Sequence, residues 1–409
     1  MISIKKYSLF FFCTLSLSWQ LVQAQMALDV DVSCAPEMES SASSADSAES
    51  SPLEAGIPAQ IVESLLNNFT KLQTALLKED WIGTPPFDRE NATFVQKIFV
   101  ADNAHIVTIG DLHGRIDCLS AIAKDLIKQG TIDTSFKILQ PNTYIIFLGD
   151  YTDRGPTGTE VWCVLGTFKL QNQHNVFLLR GNHESKKINI AYGFAMELSI
   201  KYKEFADSLF NQFVNTYTYL PSALFVGVQN SSGQYDYEMF CHGGIEFGIN
   251  LKPLILSSTA TCMEIEQIAF DLIPQKFRTK DAEYIGRQNG LLWCDFADTT
   301  SHYNPGRGLI ANHKVTKNWL GLQGEGNNTV HGIVRGHQHE AAKDMFGDGL
   351  VRTVISCWPQ IFSDESDKKD VVNYLTIDTG PTYSDWKFTS HELSLEAMFI
   401  ETWAAETHT

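Results

Sequence analysis

The chain reads as an α/β protein whose ligand-bearing loops lie at the ends of parallel strands. Three observations carry that reading. First, His105-Ile-Val-Thr-Ile109, Tyr144-Ile-Ile-Phe-Leu148 and Val176-Phe-Leu-Leu179 are short apolar runs of the kind that form buried strands. Second, each run stops at a glycine and then offers Asp, His or Asn: Gly110-Asp111-Leu112-His113-Gly114, Gly149-Asp150-Tyr151-Thr152-Asp153-Arg154-Gly155 and Gly181-Asn182-His183-Glu184. Third, helical segments follow the first two loops, so strand, loop and helix repeat as in βαβ units. Parallel strands that end together gather their loops into one crevice at the carboxyl edge of the sheet, where open α/β sheets bind ligands. Hard oxygen and imidazole donors converging there suit divalent metals of the Mn, Fe or Zn kind. Taken singly, an Asp after a strand-end glycine reads as a helix cap. Taken together, the three loops read as a binuclear metal hydrolase.

From the amino terminus, residues 1–24 are expected to be a secretory signal: Lys5 and Lys6 precede the apolar stretch Tyr7 to Trp19, and Val22-Gln23-Ala24 supplies small residues for cleavage. The stretch is too short and serine-rich for a comfortable membrane span. A secreted or periplasmic location follows, with a cytoplasmic or membrane-anchored protein as the alternative. Residues 25–53 are rich in Ser, Ala and acid and are expected to be a disordered linker. One catalytic domain over 54–395 and a short tail over 396–409 account for the rest.

Within that domain, Ile61, Leu65, Leu66, Phe69, Leu72 and Leu76 recur at helical spacing between Ile57 and Lys78. Cys118 to Gln129 and Thr159 to Leu170 read as helices behind the first two loops. Residues 186–220 read as helical with Phe205, Leu209, Phe210, Phe213 and Tyr217 in the core. After Pro221 the pattern turns to strands at Ala223–Val228, Glu238–Cys241, Val330–Val334 and Leu350–Ile355.

Composition narrows the function. The 409 residues are 44% hydrophobic, ample for a large core, and the formal charge is -17 without a dense Lys/Arg run. That argues against non-specific nucleic-acid binding, which needs basic side chains against phosphates. Of eight cysteines, Cys13 lies in the expected signal, leaving an odd seven without regular spacing. That does not read as a disulfide framework, and Cys118, Cys163, Cys241, Cys294 and Cys357, set among apolar residues, are expected to be buried thiols. Sequons begin at Asn68, Asn91, Asn230 and Asn327.

The three loops, with LLRGNHES around the third, closely resemble the signature of the phosphoprotein phosphatases, the serine/threonine branch of the metallophosphoesterases. The resemblance continues through Ile188-Asn189, Tyr192-Gly193-Phe194, Phe240-Cys241-His242-Gly243-Gly244, Leu291-Leu292-Trp293-Cys294-Asp295, Gly306-Arg307-Gly308 and Val334-Arg335-Gly336-His337-Gln338, covering about residues 55 to 390. It implies a metallophosphoesterase-type β-sandwich flanked by helices, with a binuclear site at the strand ends. By motif, Asp111, His113 and Asp150 resemble the ligands of one ion, and Asp150, Asn182, His242 and His337 those of the other, with Asp150 bridging. Manganese is the expected pair, iron or zinc the alternatives. His183 resembles the general acid, since an imidazole can deliver a proton near neutrality, and Asp153 the carboxylate that holds it. Arg154 and Arg307 resemble the forks that grip phosphate oxygens.

The activity so implied is hydrolysis of phosphoproteins by in-line attack of a metal-bridging hydroxide. Phosphotyrosine, nucleotide or other small phosphate-ester hydrolysis is the second reading, and a catalytically silent phosphoprotein-binding module the third. His105, His302, His331 and His339 receive no role, because a lone His is more often structural or solvated. Two departures stand out. Ser356-Cys357-Trp358-Pro359-Gln360 replaces the family's Ser-Ala-Pro-Asn-Tyr, losing a phenol beside the phosphate, and the long interval containing Thr131 to Asn142 is expected to alter a rim of the cleft.

Overall fold

A computed structural model describes residues 57–87, 93–265, 289–304, 307–326, 328–339, 345–357 and 371–395. The expected signal, linker and tail lie outside the described residues, as do Trp358, Pro359, Gln360, Asn91 and Asn327. The glycine-terminated runs become three adjacent parallel strands: β2 (His105–Ile109), β3 (Thr143–Phe147) and β4 (Val176–Leu178). Their crossovers are α2 (Ile116–Lys128) and α3 (Gly158–Gln171), within two residues of the expected bounds.

Two strands not expected from the sequence extend this sheet. β9 (Val371–Asp378) runs antiparallel to β2, and β10 (Lys387–Ser394) antiparallel to β9, giving the order β10-β9-β2-β3-β4. Among the described residues the second sheet has eight strands. At its centre are β1 (Thr93–Val100), β5 (Ala223–Gln229), β6 (Tyr235–Cys241), β7 (Thr329–Arg335) and β8 (Val351–Thr353), in that order.

Alternation along the strands explains the layering, because successive side chains face opposite ways. Ile106, Ile146 and Leu148 pack into the space between the sheets against Leu224, Val226, Phe240 and Val334 of the larger sheet. Their neighbours Val107, Ile109, Ile145 and Phe147 point outward and are covered by helices. Those helices include α1 (Ala59–Leu76), which buries Val62, Leu66 and Phe69, and α6 (Ala206–Tyr217). The sandwich flanked by helices is therefore present.

α4 (Lys186–Tyr192) and α5 (Phe194–Tyr202) precede α6, with a single 3-10 turn, Lys203–Phe205, between α5 and α6. That turn corrects one expectation. An unbroken helix would have put Phe205 on the buried face with Leu209, Phe213 and Tyr217. Lys203 instead takes φ 47° and turns the chain, leaving Phe205 42% exposed. A second correction concerns Thr131 to Asn142. This segment lies at the amino-terminal ends of the strands, where His105 N–H donates to Asn142 O, and its Phe136 stacks on Phe168. It is at the edge of the sheet away from the ligand loops and forms no rim of the cleft. Among the described residues, no helix is long and apolar enough to cross a membrane.

Candidate metal centre

An aromatic cluster props up the second loop. Trp162 of α3 is fully buried and meets the rings of Phe69, Tyr151, Phe213 and Tyr217. Tyr151 Oη donates to Leu179 O at 2.7 Å, tying loop two to the end of β4. Glu184, for which no motif predicts a role, joins the same loops. Its buried carboxylate accepts from the backbone N–H of Asp150, Tyr151 and Gly181 at 2.7–3.0 Å. Burial and the nearby Asp150 charge push Glu184 up to about 7.

Backbone strain concentrates here. His113, Asp150, Asp153, Arg154 and His337 all have positive φ, between 44° and 71°, a region non-glycine residues rarely occupy. Close approach also needs glycine. A Cβ on Gly336 would lie 2.2 Å from Asp111 Oδ1, and one on Gly181 2.2 Å from Asp150 Oδ1.

These constraints bring Asp111, His113, Asp150, Asn182, His242 and His337 into one buried cluster. Asp150 Oδ2 lies 3.1 Å from His242 Nε2 and 3.7 Å from His113 Nε2, so one carboxylate faces two groups of donors. On one side, Asn182 Oδ1 is 2.8 Å from His242 Nε2 and 2.9 Å from His337 Nδ1. On the other, Asp111 Oδ2 lies 3.8 Å from His113 Nε2. The outer contacts select the ligating tautomer: with His113 Nδ1–H donating to Thr152 O and His242 Nδ1–H to Leu148 O, each ring in its neutral form turns an Nε2 lone pair inward.

His339, expected to be structural or solvated, belongs to the cluster. Its Nε2 lies 3.0 Å from Asp111 Oδ2 and 3.3 Å from His113 Nε2, so it completes the half with Asp111, His113 and Asp150. The available signal was its place two residues after His337 in a loop at a strand end.

Oxygen and nitrogen acceptors thus converge in a buried space around which two carboxylates have lost their water. Burial pushes the Asp111 and Asp150 carboxyls up, but neighbouring imidazoles, His242 foremost, outweigh it and hold both below the ordinary carboxylate range. Burial lowers His242, and the charges of Asp150 and Asp111 more than reverse that. His113 and His337 are held well below the usual imidazole value, chiefly by burial, which keeps them neutral and able to ligate. The donor set fits two divalent cations, one between Asp111, His113, Asp150 and His339, the other between Asp150, Asn182, His242 and His337.

Beside this cluster, His183 Nδ1–H donates to Asp153 Oδ2 at 2.7 Å. Asn189 Nδ2 donates to the same oxygen at 2.8 Å and is itself held by Tyr217 Oη; Phe194 N–H donates to Asp153 Oδ1. His183 Nε2 faces Arg154 Nη2 at 3.3 Å. Arg307 is gripped bidentately by Asp295, through Nε at 2.8 Å and Nη2 at 3.1 Å, and Asp295 Oδ1 lies 3.7 Å from His337 Nε2. His105 and His331 pair with Asp378 and Asp236 at other places in the fold.

The cysteines bring a further correction. Cys118 and Cys357 are not thiols but form a disulfide, with Cα atoms 6.2 Å apart and a sequence separation of 239. Cys163, Cys241 and Cys294 are buried thiols as expected, and Cys262 is a fourth.

Comparison with known proteins places this geometry. The calcineurin-like phosphoesterase domain matches residues 104–341. The serine/threonine-protein phosphatase 4 catalytic subunit of Kluyveromyces lactis is 32% identical over 252 residues, 60% of this chain and 67% of its own length. The PP2A-like phosphatase PPG1 of Candida albicans is 30% identical over 238 residues, 57% of this chain and 46% of its own. This chain therefore spans about two thirds of the first relative and under half of the second. Among solved structures, a protein serine/threonine phosphatase from Saccharomyces cerevisiae shares the fold, with a TM-score of 0.55 at 20% identity, covering 82% of this chain and 90% of its own.

Proposed function

This chain belongs to the calcineurin-like phosphoesterase family, and we propose that it is a metal-dependent phosphoprotein phosphatase of the serine/threonine type. The observation that carries the proposal is a two-sided donor cluster sharing Asp150, with His183 seated on Asp153 at its edge. The names of the relatives support the same class.

When bound, two divalent ions supply an activated water and charge compensation for phosphoryl oxygens, and manganese is the pair we propose. The protein groups do the rest. Arg154 and Arg307 present planar forks to the phosphate, and Arg307 is pre-oriented by Asp295, so less side-chain freedom is lost on binding. His183 gives a proton from Nε2 to the leaving oxygen as the P–O bond breaks, while its Nδ1–H stays on Asp153. Asn189 fixes Asp153 and so the plane of the imidazole.

A peptide panel with added manganese tests the substrate class. Phosphoserine and phosphothreonine peptides should turn over faster than matched phosphotyrosine peptides by about tenfold, a barrier difference of only about 1.4 kcal/mol. Preference for phosphotyrosine or for free nucleotides would replace the serine/threonine assignment with the second reading. We also propose action in an oxidising compartment. The Cys118–Cys357 disulfide supports this, since such bonds persist mainly outside the reducing cytosol.

A further inference from the structure

The disulfide lies against the metal half-site rather than on a distant surface. Cys357 N–H donates to Asp111 O at 2.9 Å, and Gly110 N–H donates to Ser356 Oγ at 2.8 Å. Val354 O approaches Gly110 so closely that a Cβ there would stand 1.8 Å from it. Residues 354–357 thus pack on the Gly110-Asp111 turn, which His337 also contacts through an N–H donated to Asp111 Oδ1 at 3.0 Å. Cys118 sits near the start of α2, the helix that begins just after the same motif. One covalent bond, one hydrogen bond and the chain from Asp111 to Cys118 therefore close a short ring through the ligand-bearing turn.

We infer that the Cys118–Cys357 disulfide is a positioning element of the half-site built on Asp111, His113 and His339. The inference rests on the proposed metal site. Without the bond, residues 354–357 are held to that turn by two hydrogen bonds and by close packing. With it, they are pinned to the helix on which the turn is continued. Both sulfur-bearing residues are buried, at 1% and 0% exposure, so the bond adds rigidity inside the core beside the ligands. Groups that orient metal ligands without touching the ion are typically worth 10–100-fold in metal affinity.

The test uses the full-length protein and reads metal affinity without turnover. Manganese dissociation constants are measured by equilibrium dialysis for the parent, for Cys118→Ala, for Cys357→Ala and for the double variant, with unfolding midpoints alongside. Cys262→Ala, which removes a buried thiol elsewhere, is the control. One of the two dissociation constants should rise by roughly tenfold in all three bridge variants and stay unchanged in the control. Hydrolysis of a small aryl phosphate should fall in proportion at limiting manganese and recover at saturating manganese. A second arm treats the parent with a dithiol. Its two thiols become a disulfide as Cys118–Cys357 takes up two electrons and two protons to give two thiols, and a count of free thiols verifies the exchange. A lower unfolding midpoint with both dissociation constants unchanged would show that the bond only stabilises the fold, and would overturn the inference. So would global unfolding of the variants and of the reduced parent at low temperature in saturating manganese. Metal binding that shifts as expected in a protein without phosphatase activity would sink the proposed function and leave the bridge's role standing.

Discussion

Asp150→Asn is expected to lower turnover by on the order of 10³-fold or more at saturating manganese, because several kcal/mol of charge compensation at both ions pass through one carboxylate. Asp150 Oδ2 faces His242 on one side and His113 on the other, whereas Asp111 and His339 serve one half only. His339→Ala should accordingly cost less, weakening one ion and leaving the other. The substitution is conservative toward the fold. Asp150 Oδ1 accepts from the backbone N–H of His183, and an asparagine oxygen can still do so. Circular dichroism of Asp150→Asn should therefore match the parent while its metal content falls. Activity within a few fold of the parent would mean that Asp150 does not bridge two ions.

His183→Ala should produce a loss that depends on the substrate. A positioned acid is typically worth about 10²–10⁴ in rate when the leaving group needs a proton. The serine oxygen of a phosphoserine peptide leaves poorly unless it is protonated, so that substrate should lose the factor. The phenol oxygen of an ester of an acidic phenol leaves readily as the anion, so that substrate should lose little. Asp153→Asn should reproduce the pattern more weakly, because Asn189 and the Phe194 N–H hold residue 153 in place while the charge behind the imidazole is gone. The measurement is kcat on both substrates for each variant. Equal losses on the two would assign His183 to metal binding or orientation instead.

Much of this site is legible in the sequence because the strands that build it are short, apolar and stopped by glycine. The β2, β3 and β4 runs show their ends in the residues themselves, and the ligands follow each end directly. Asp111, His113, Asp150, Asn182, His242 and His337 come together where the motifs put them. His339 is not legible on the same terms. A single imidazole in a loop is most often structural, and this one follows a left-handed residue, His337, whose conformation the residue type does not announce. Glu184 escapes for a related reason, since it acts through three backbone N–H groups and not through a partner side chain that a motif would display.

The disulfide is hidden by distance. Nothing in the spacing of seven cysteines pairs two that are 239 residues apart, and four others stay as buried thiols. Phe205 fails on periodicity, because the four-residue rhythm through Leu209, Phe213 and Tyr217 carries no sign of the turn at Lys203 that rotates it outward. The interval at Thr131 to Asn142 shows that an insertion's length does not fix its side of the sheet. It joins α2 to the start of β3 and so falls at the edge opposite the ligands.

If this donor cluster works as a two-metal phosphoprotein phosphatase, metal-free protein titrated with manganese will regain activity in step with occupancy of both ions. Chelator-treated protein should hydrolyse a phosphoserine peptide at background rate. Activity should then rise with added manganese and saturate near two equivalents, as a two-metal site requires. Undiminished hydrolysis by protein shown to be free of metal would rule out a two-metal mechanism.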